Sequence, residues 1–165
     1  MAICSFNSPI GRLYMEEKDG YITQLSKTSP DSILKDNLQI TPVMKEAIEQ
    51  LEEYFFGLRK QFTIPIKPEG TAYMKSIWQQ LIKIPYGRTL SYGQVAQLAG
   101  NKKGARSAGA ACGRNPILIF IPCHRVIGAD GSLTGFSCGI DSKIALLKLE
   151  KAVFKNPYGT QDSQL

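Results

Sequence analysis

Over the first thirty residues, apolar and polar side chains alternate in short runs separated by turn residues: Ile3–Phe6, Gly11–Met15 and Tyr21–Leu25. A period of two predicts strands half-buried on one face, and Asp19-Gly20 between the second and third runs is a strong signal for a tight hairpin. At Thr41-Pro42 the period changes. Val43, Ala47, Ile48, Leu51, Tyr54 and Phe55 recur at helical spacing, which predicts a helix that starts at the proline and ends near Gly57. Phe62–Ile66 predicts one more strand, and Lys67-Pro68-Glu69-Gly70 reads as a linker.

Beyond residue 70 the pattern is mainly helical. A helix is expected from Ala72 to Lys83, carrying the only tryptophan, Trp78, and Pro85-Tyr86-Gly87-Arg88 is expected to turn. Ser91-Tyr92-Gly93-Gln94 has the Ser-x-x-Gln form of a capping box, so a helix should start at Tyr92, run through Val95, Ala96 and Leu98, and stop at Gly100. Asn101 can cap a further helix from about Lys102 to Cys112. Two short helices around a glycine turn form a helix-turn-helix pattern, which also occurs in ordinary helical corners. In that last helix Gly104, Ala105, Ser107, Ala108, Gly109, Ala110 and Ala111 are all small, with Arg106 the one large side chain among them. Such a surface suits close approach to either a neighbouring helix or a DNA backbone, and the isolated Arg106 leans the reading toward DNA. Ile117–Ile121 reads as a fully buried strand ended by Pro122, and Asp141 as the cap of a final helix whose apolar face holds Leu146 and Leu147. The expected class is α+β: a small sheet with one helix over residues 1–70, a mainly helical lobe over 71–155, and a polar tail over 156–165.

Composition adds a direction. Residues 1–70 carry eight basic against ten acidic side chains, whereas residues 71–165 carry twelve against four, so a balance of −2 is joined to one of +8. A basic second lobe is the electrostatic footprint of a nucleic-acid surface, although basic helices are often simply solvated. The longest unbroken apolar stretch, Ile117–Ile121, is far too short to span a membrane, and Met1–Phe6 has no basic leader of a secretory signal. The expectation is a soluble cytoplasmic protein (nuclear in a eukaryote) with no membrane partner. Cys4, Cys112, Cys123 and Cys138 could form a disulfide framework, but without a mark of secretion reduced thiols are the better reading. With no C-x-x-C pair and a single histidine, no metal and no cofactor are expected.

The candidate chemistry sits where the buried run ends, at Cys123-His124-Arg125. A cysteine beside the sole histidine and an arginine is in the right setting for a nucleophilic thiol, though free cysteines also serve as small buried hydrophobes. Adjacent residues of an extended chain point apart, so a bridging water or a bend at Pro122-Cys123 would be needed to connect thiol and imidazole. Glu150 falls on the helix face of Leu146 and Leu147, and a carboxylate aimed into a core needs a hydrogen-bonding partner. His124 can be that partner, giving a Cys–His–Glu relay; a lysine or arginine could equally satisfy it.

At these residues the chain resembles a known family. Ile121-Pro122-Cys123-His124-Arg125-Val126 looks like the signature of the O6-alkylguanine-DNA alkyltransferases, the methylated-DNA–protein-cysteine methyltransferases. The similarity extends through Ser91–Ala96, Ala105–Gly109, Arg114-Asn115-Pro116, Gly131–Phe136 and Lys143–Glu150. The resemblance implies a ribonuclease-H-like first lobe and a winged-helix-like second lobe that repairs DNA by direct reversal. An alkyl group would move from O6-alkylguanine, with O4-alkylthymine as a further candidate, irreversibly onto Cys123 after the nucleotide is flipped. It implies His124 as a water-mediated base, Glu150 as its orienter and Asn115 as the brace of the turn before the site. Tyr92 would support phosphate rotation and protonate the departing guanine, and Arg106 would fill the gap left in the stack. Ser91, Tyr92, Ala105, Gly109 and Arg114 would meet the DNA together with Arg106. The carbonyls of Cys123 and Val126, the Ser137 N–H, Phe136 and Tyr92 would form the base pocket. The partner is double-stranded DNA carrying the lesion, met by a monomer with no obligate protein partner. Relatives that bind a structural zinc use Cys and His in the first lobe, where this chain has only Cys4.

Overall fold

The computed structural model describes residues 1–31, 38–101, 104–133 and 139–158. Its chain separates into two units, Met1–Glu69 with Pro116–Phe120, and Gly70–Asn115 with Ile121–Leu165.

In the first unit, β1 (Ala2–Ser8), β2 (Gly11–Lys18) and β3 (Tyr21–Ser26) form an antiparallel sheet in that order, with Ser5 opposite Tyr14 and Met15 opposite Leu25. The β2–β3 turn puts Asp19 and Gly20 at φ 54° and 84°. Both central residues are left-handed, as the two-residue turn that matches strand twist requires. Leu13, Met15, Ile22 and Leu25 are fully buried on one face. Ile22 and Leu25 are three apart, which pure alternation forbids; a register shift at Glu16/Glu17 restores the face by inserting one residue. Helix α1 (Pro42–Phe55) starts where expected: Thr41 Oγ1 accepts from Met44 N at 3.4 Å and Pro42 occupies the first turn. It ends at Gly57, whose φ of 77° allows its N–H to donate to Tyr54 O while Leu58 N donates to Glu53 O.

Two strand expectations fail here. Phe62–Ile66 makes only one bridge, Ile66 to Ile22, with Ile22 N donating to Pro65 O and Lys67 N to Ile22 O. Pro65 has no N–H to extend the ladder. Ile117–Ile121 is buried throughout, but it bridges Leu25 only through Ile117 and then turns. Ile119 sits at φ 70°, and Phe120 N donates to Leu118 O at 2.7 Å, closing a three-residue γ-turn that is strained for a β-branched side chain. Burial on all sides produced the apolar run; a short buried run does not distinguish strand from buried turn.

The second unit is built on α2 (Ala72–Ile82), β4 (Leu90–Ser91), α3 (Tyr92–Leu98), α4 (Ala105–Gly113), a 3-10 turn (Cys123–Arg125), β5 (Val126–Ile127) and α5 (Ile140–Leu149). Trp78, buried on α2, donates its indole N–H to Ala111 O at 2.9 Å and so ties α2 to α4. The capping box forms as read: Gln94 N donates to Ser91 Oγ at 3.1 Å and Ser91 N to Gln94 Oε1 at 2.8 Å. Asn101 does not cap α4. Gly100, at φ 87°, donates to Gln97 O while Asn101 N donates to Ala96 O at 2.9 Å, so Asn101 completes the C-terminal lock of α3. Gly104 then precedes α4 without a side-chain cap. Asp141 is not a cap either: Gly139, at φ 90°, is the last non-helical residue, and Asp141 lies in the first turn of α5. There its carboxylate meets the positive end of the helix.

Candidate active site

Three pieces of local structure converge. Parallel pairing of Leu90 with Val126 and Ser91 with Ile127 sets the start of α3 beside the chain that leaves the 3-10 turn. Pro122, at φ −81° and ψ 65° with Cys123 N donating to Ile121 O at 2.8 Å, bends the backbone in an inverse γ-turn immediately before the cysteine. This bend, followed by 3-10 winding, replaces the extended geometry that would have pointed Cys123 and His124 apart. The third piece is the end of α5. Lys151 takes φ 56°, with Lys151 N donating to Lys148 O and Ala152 N to Leu147 O, and this fixes Glu150 as the last helical cap.

Cys123 is 2% exposed. Asn115, at the exit of α4, donates one amide nitrogen to both Ile121 O at 2.7 Å and Cys123 Sγ at 3.0 Å. The first contact holds the bend in place, and the second aims a donor at the sulfur, where it supports negative charge. His124 is 0% exposed and its Nε2 lies 2.6 Å from Glu150 Oε2. Nδ1 is buried and meets no partner among the described residues. Burial, which penalises the imidazolium, holds the His124 pKa below the ordinary histidine value against the pull of Glu150, with Arg125 and Lys143 adding repulsion.

Glu150 takes more than the one partner expected of it. Arg125 Nε donates to Oε1 at 2.8 Å, Arg125 NH2 to Oε2 at 3.1 Å, and Gly87 N to Oε1 at 3.2 Å. Both alternatives left open by the sequence are therefore realised together. Burial alone would raise the Glu150 carboxyl, but hydrogen bonds and charges from His124 and Arg125 outweigh it and hold the group far below the usual carboxylate range. Gly87 is required by this approach: it has φ 78°, and a Cβ there would lie 3.0 Å from Glu150 O.

Two functional candidates went unassigned in the sequence reading, Arg125 and Lys143. Lys143 is 1% exposed, donates to Val126 O at 2.6 Å and to Tyr92 Oη at 3.4 Å, and lies 5.7 Å from the centre of the Tyr92 ring. Burial lowers its pKa, while the Cys123 and Cys112 thiols act in the opposite sense. Its signal was present in the chain: Lys143, Leu147 and Glu150 follow one helical face. Val126 N donates back to Cys123 O.

The small residues of α4 divide between a buried and an exposed face. Ala108, Ala111 and Cys112 face inward, whereas Ala105, Arg106, Ala110 and Gly113 are exposed, as is Arg114 beyond the helix. Gly109 is half-buried, and a Cβ built on it would lie 3.6 Å from the Tyr92 ring. Ser91 and Tyr92 are also half-buried. Burial pushes the Cys112 thiol up to about 12, with repulsion from Cys123 adding and Lys143 opposing; Cys4 rises by burial to about 11. Neither is placed to compete as a nucleophile. Phe136, Ser137 and Cys138 lie outside the described residues.

Residues 72–152 match the family model for the DNA-binding domain of 6-O-methylguanine DNA methyltransferase, and residues 3–68 match that for its ribonuclease-like domain. A methylated-DNA–protein-cysteine methyltransferase of Methanosarcina acetivorans is 44% identical over 148 residues, covering 88% of this chain and 95% of that protein. The constitutive enzyme of that name from Bacillus subtilis is 39% identical over 155 residues, covering 90% and 94%. A crystal structure of Mycobacterium tuberculosis OGT in complex with DNA superposes with a TM-score of 0.82 at 38% identity, covering 92% of this chain and 93% of that one. Because the matches run through both units and include every residue gathered around Cys123, the chain belongs to the 6-O-methylguanine DNA methyltransferase family.

Proposed function

We propose that this protein repairs double-stranded DNA by transferring a methyl or larger alkyl group from O6 of guanine, with O4 of thymine as a further substrate, to Cys123. The observation that carries this reading is the buried sulfur held against the Asn115 amide, beside a histidine whose far nitrogen is fixed on a carboxylate. The lesion's alkyl carbon is unreachable inside a duplex, so the nucleotide is flipped into the site at a cost of a few kcal/mol. His124 accepts the thiol proton at Nδ1 through a bridging water, with Glu150 stabilising the imidazolium that forms. The Cys123 sulfur forms a bond to the alkyl carbon as the carbon–O6 bond breaks, and Tyr92 gives its phenolic proton to the departing guanine. Arg106 fills the vacated stack, while Ser91, Ala105, Gly109 and Arg114 meet the DNA backbone. The Cys123 and Val126 carbonyls, with Phe136 and Ser137, hold the base. The protein acts as a monomer wherever the cell keeps its DNA, in the cytoplasm or the nucleus. Among the described residues no helix is long and apolar enough to cross a membrane.

The product is a thioether, which no group among the described residues of the site is equipped to cleave, so each molecule acts once. Incubation with O6-methylguanine duplex should add one methyl to the intact mass and then plateau, with the label on Cys123. Continued turnover would refute the mechanism, and binding without any mass change would reduce the protein to a lesion-recognition module.

The surface assignment has its own test. Affinity for duplex DNA should fall steeply with salt as several counterions are released. Arg106→Ala should cost far more repair on duplex than on free alkylguanine base, which has no stack to fill. Equal losses on both substrates would remove Arg106 from that role.

A further inference from the structure

The buried contacts of Glu150 do not divide equally between orienting a base and holding structure. Arg125 grips both carboxylate oxygens in a fork, at 2.8 and 3.1 Å, and places its remaining nitrogen 2.7 Å from Ile84 O. Its guanidinium lies 5.9 Å from the Tyr86 ring centre, and the Tyr86 phenol donates to Leu149 O at 3.2 Å. The guanidinium is therefore fixed from three sides. This arrangement exceeds what a packing arginine needs.

We propose that Arg125 is a positioning residue for the transfer reaction: by permanently neutralising Glu150 it keeps His124 as the neutral imidazole that carries its proton on Nε2, leaving Nδ1 as the base. The inference deepens the alkyl-transfer reading and rests on it for its role in catalysis.

Charge balance matters strongly here because His124 and Glu150 are both buried. A buried imidazole facing a lone carboxylate would be held as an imidazolium, because the ion pair is the only way to compensate the carboxylate. Such a histidine has no free lone pair and cannot accept the thiol proton. With Arg125 in place the carboxylate is already compensated, so a second positive charge would be left in excess. Lys143 makes that excess worse. Among the described residues, the charged and titratable groups around the imidazole are Glu150 and Lys143 of α5, Arg125 of the 3-10 turn, Tyr86 of the preceding loop, and the Cys123 and Cys112 thiols. Burial first disfavours the imidazolium, and Arg125 and Lys143 add their repulsion against the pull of Glu150, so the neutral ring is favoured. Glu150 still fixes the tautomer, since its oxygen requires a proton on Nε2. The fork matters because a guanidinium does not lose its charge, and it occupies both oxygens in one plane.

His124 is the only histidine in the chain, so its ring can be read without assignment by imidazole nitrogen–proton correlation spectroscopy. Wild-type protein at neutral pH should show a neutral ring protonated on Nε2. Arg125→Met should convert it to the imidazolium, raising its titration by roughly one to three units. The low-pH limb of the methyl-transfer rate should move up by the same amount, with the rate recovering toward wild type as pH rises. Arg125→Lys keeps the charge and should keep the ring neutral, which serves as the test if the Met variant does not fold. A protonated ring in the wild type or the Lys variant overturns the proposal. So does a folded Met variant whose ring titrates as in the wild type, or whose rate falls equally at every pH. The ring's state is read without DNA, so failure of the alkyl-transfer reading would appear separately, as wild-type protein that never gains mass.

Discussion

Replacing Cys123 by alanine should abolish methyl transfer completely while leaving recognition of alkylated duplex DNA intact. Among the described residues the Cys123 sulfur is the only atom in the site placed to take the carbon. Cys112 is held protonated by burial, with its thiol pushed up to about 12, and Cys4 belongs to the other unit, with its own at about 11. The bend before residue 123 does not need the sulfur: Asn115 keeps its 2.7 Å bond to Ile121 O, and Cys123 N donates to Ile121 O. The variant should therefore fold, shift methylated duplex in a gel with near wild-type affinity, and show no gain in mass. Transfer in this variant, with the label on Cys112, Cys138 or Cys4, would contradict the assignment.

The second large effect is expected at Glu150. Glu150→Leu strips an acceptor from His124, Arg125 and the Gly87 N–H at once, and an uncompensated buried charge of this kind costs about 3–5 kcal/mol. Glu150→Gln keeps an oxygen but loses the charge. Were His124 the sole partner, the amide would be a mild change. Arg125 also depends on that charge, so the Gln variant should lose about 1.5–3 kcal/mol in urea unfolding, less than Leu but not negligible. Its chemistry should change as well. An amide no longer stabilises the imidazolium that forms when the thiol proton moves, so alkylation of Cys123 by iodoacetamide should shift to higher pH and methyl transfer should slow. A folded Gln variant with the wild-type alkylation profile would make Glu150 a structural acid only.

The same network makes the fold acid-sensitive. The folded-state values of His124 and Glu150 are both depressed, so the unfolded chain binds more protons as pH falls. The contribution of His124 is fully present above about pH 6.5 and that of Glu150 above about pH 4.3, the unfolded values. Each is lost as pH drops toward its lower folded-state value.

Much of this was legible in the chain because it is local. The Asp19-Gly20 hairpin, the Thr41-Pro42 helix start and the Ser91–Gln94 capping box depend on residues within a few positions of one another, so their geometry is written in their order. Cys123 and His124 could be singled out by residue type and Asn115 by resemblance to a family signature, and the structure brings Asn115 to the Cys123 sulfur. What the sequence could not decide was how buried groups share partners. Ile117–Ile121 reads as a strand because apolarity records burial, whereas the turn at Ile119 is imposed by the chain's route between one bridge at Leu25 and the bend at Pro122. Asn101 is a competent helix cap by type, yet the closing of α3 uses it first. Glu150 was visibly a carboxylate on an apolar face, but a carboxylate has room for several donors, and nothing along the chain says how many will arrive. Only the folded backbone brings Gly87, His124 and Arg125 to it together, from segments 63, 26 and 25 residues away, and that meeting sets the charge the histidine carries.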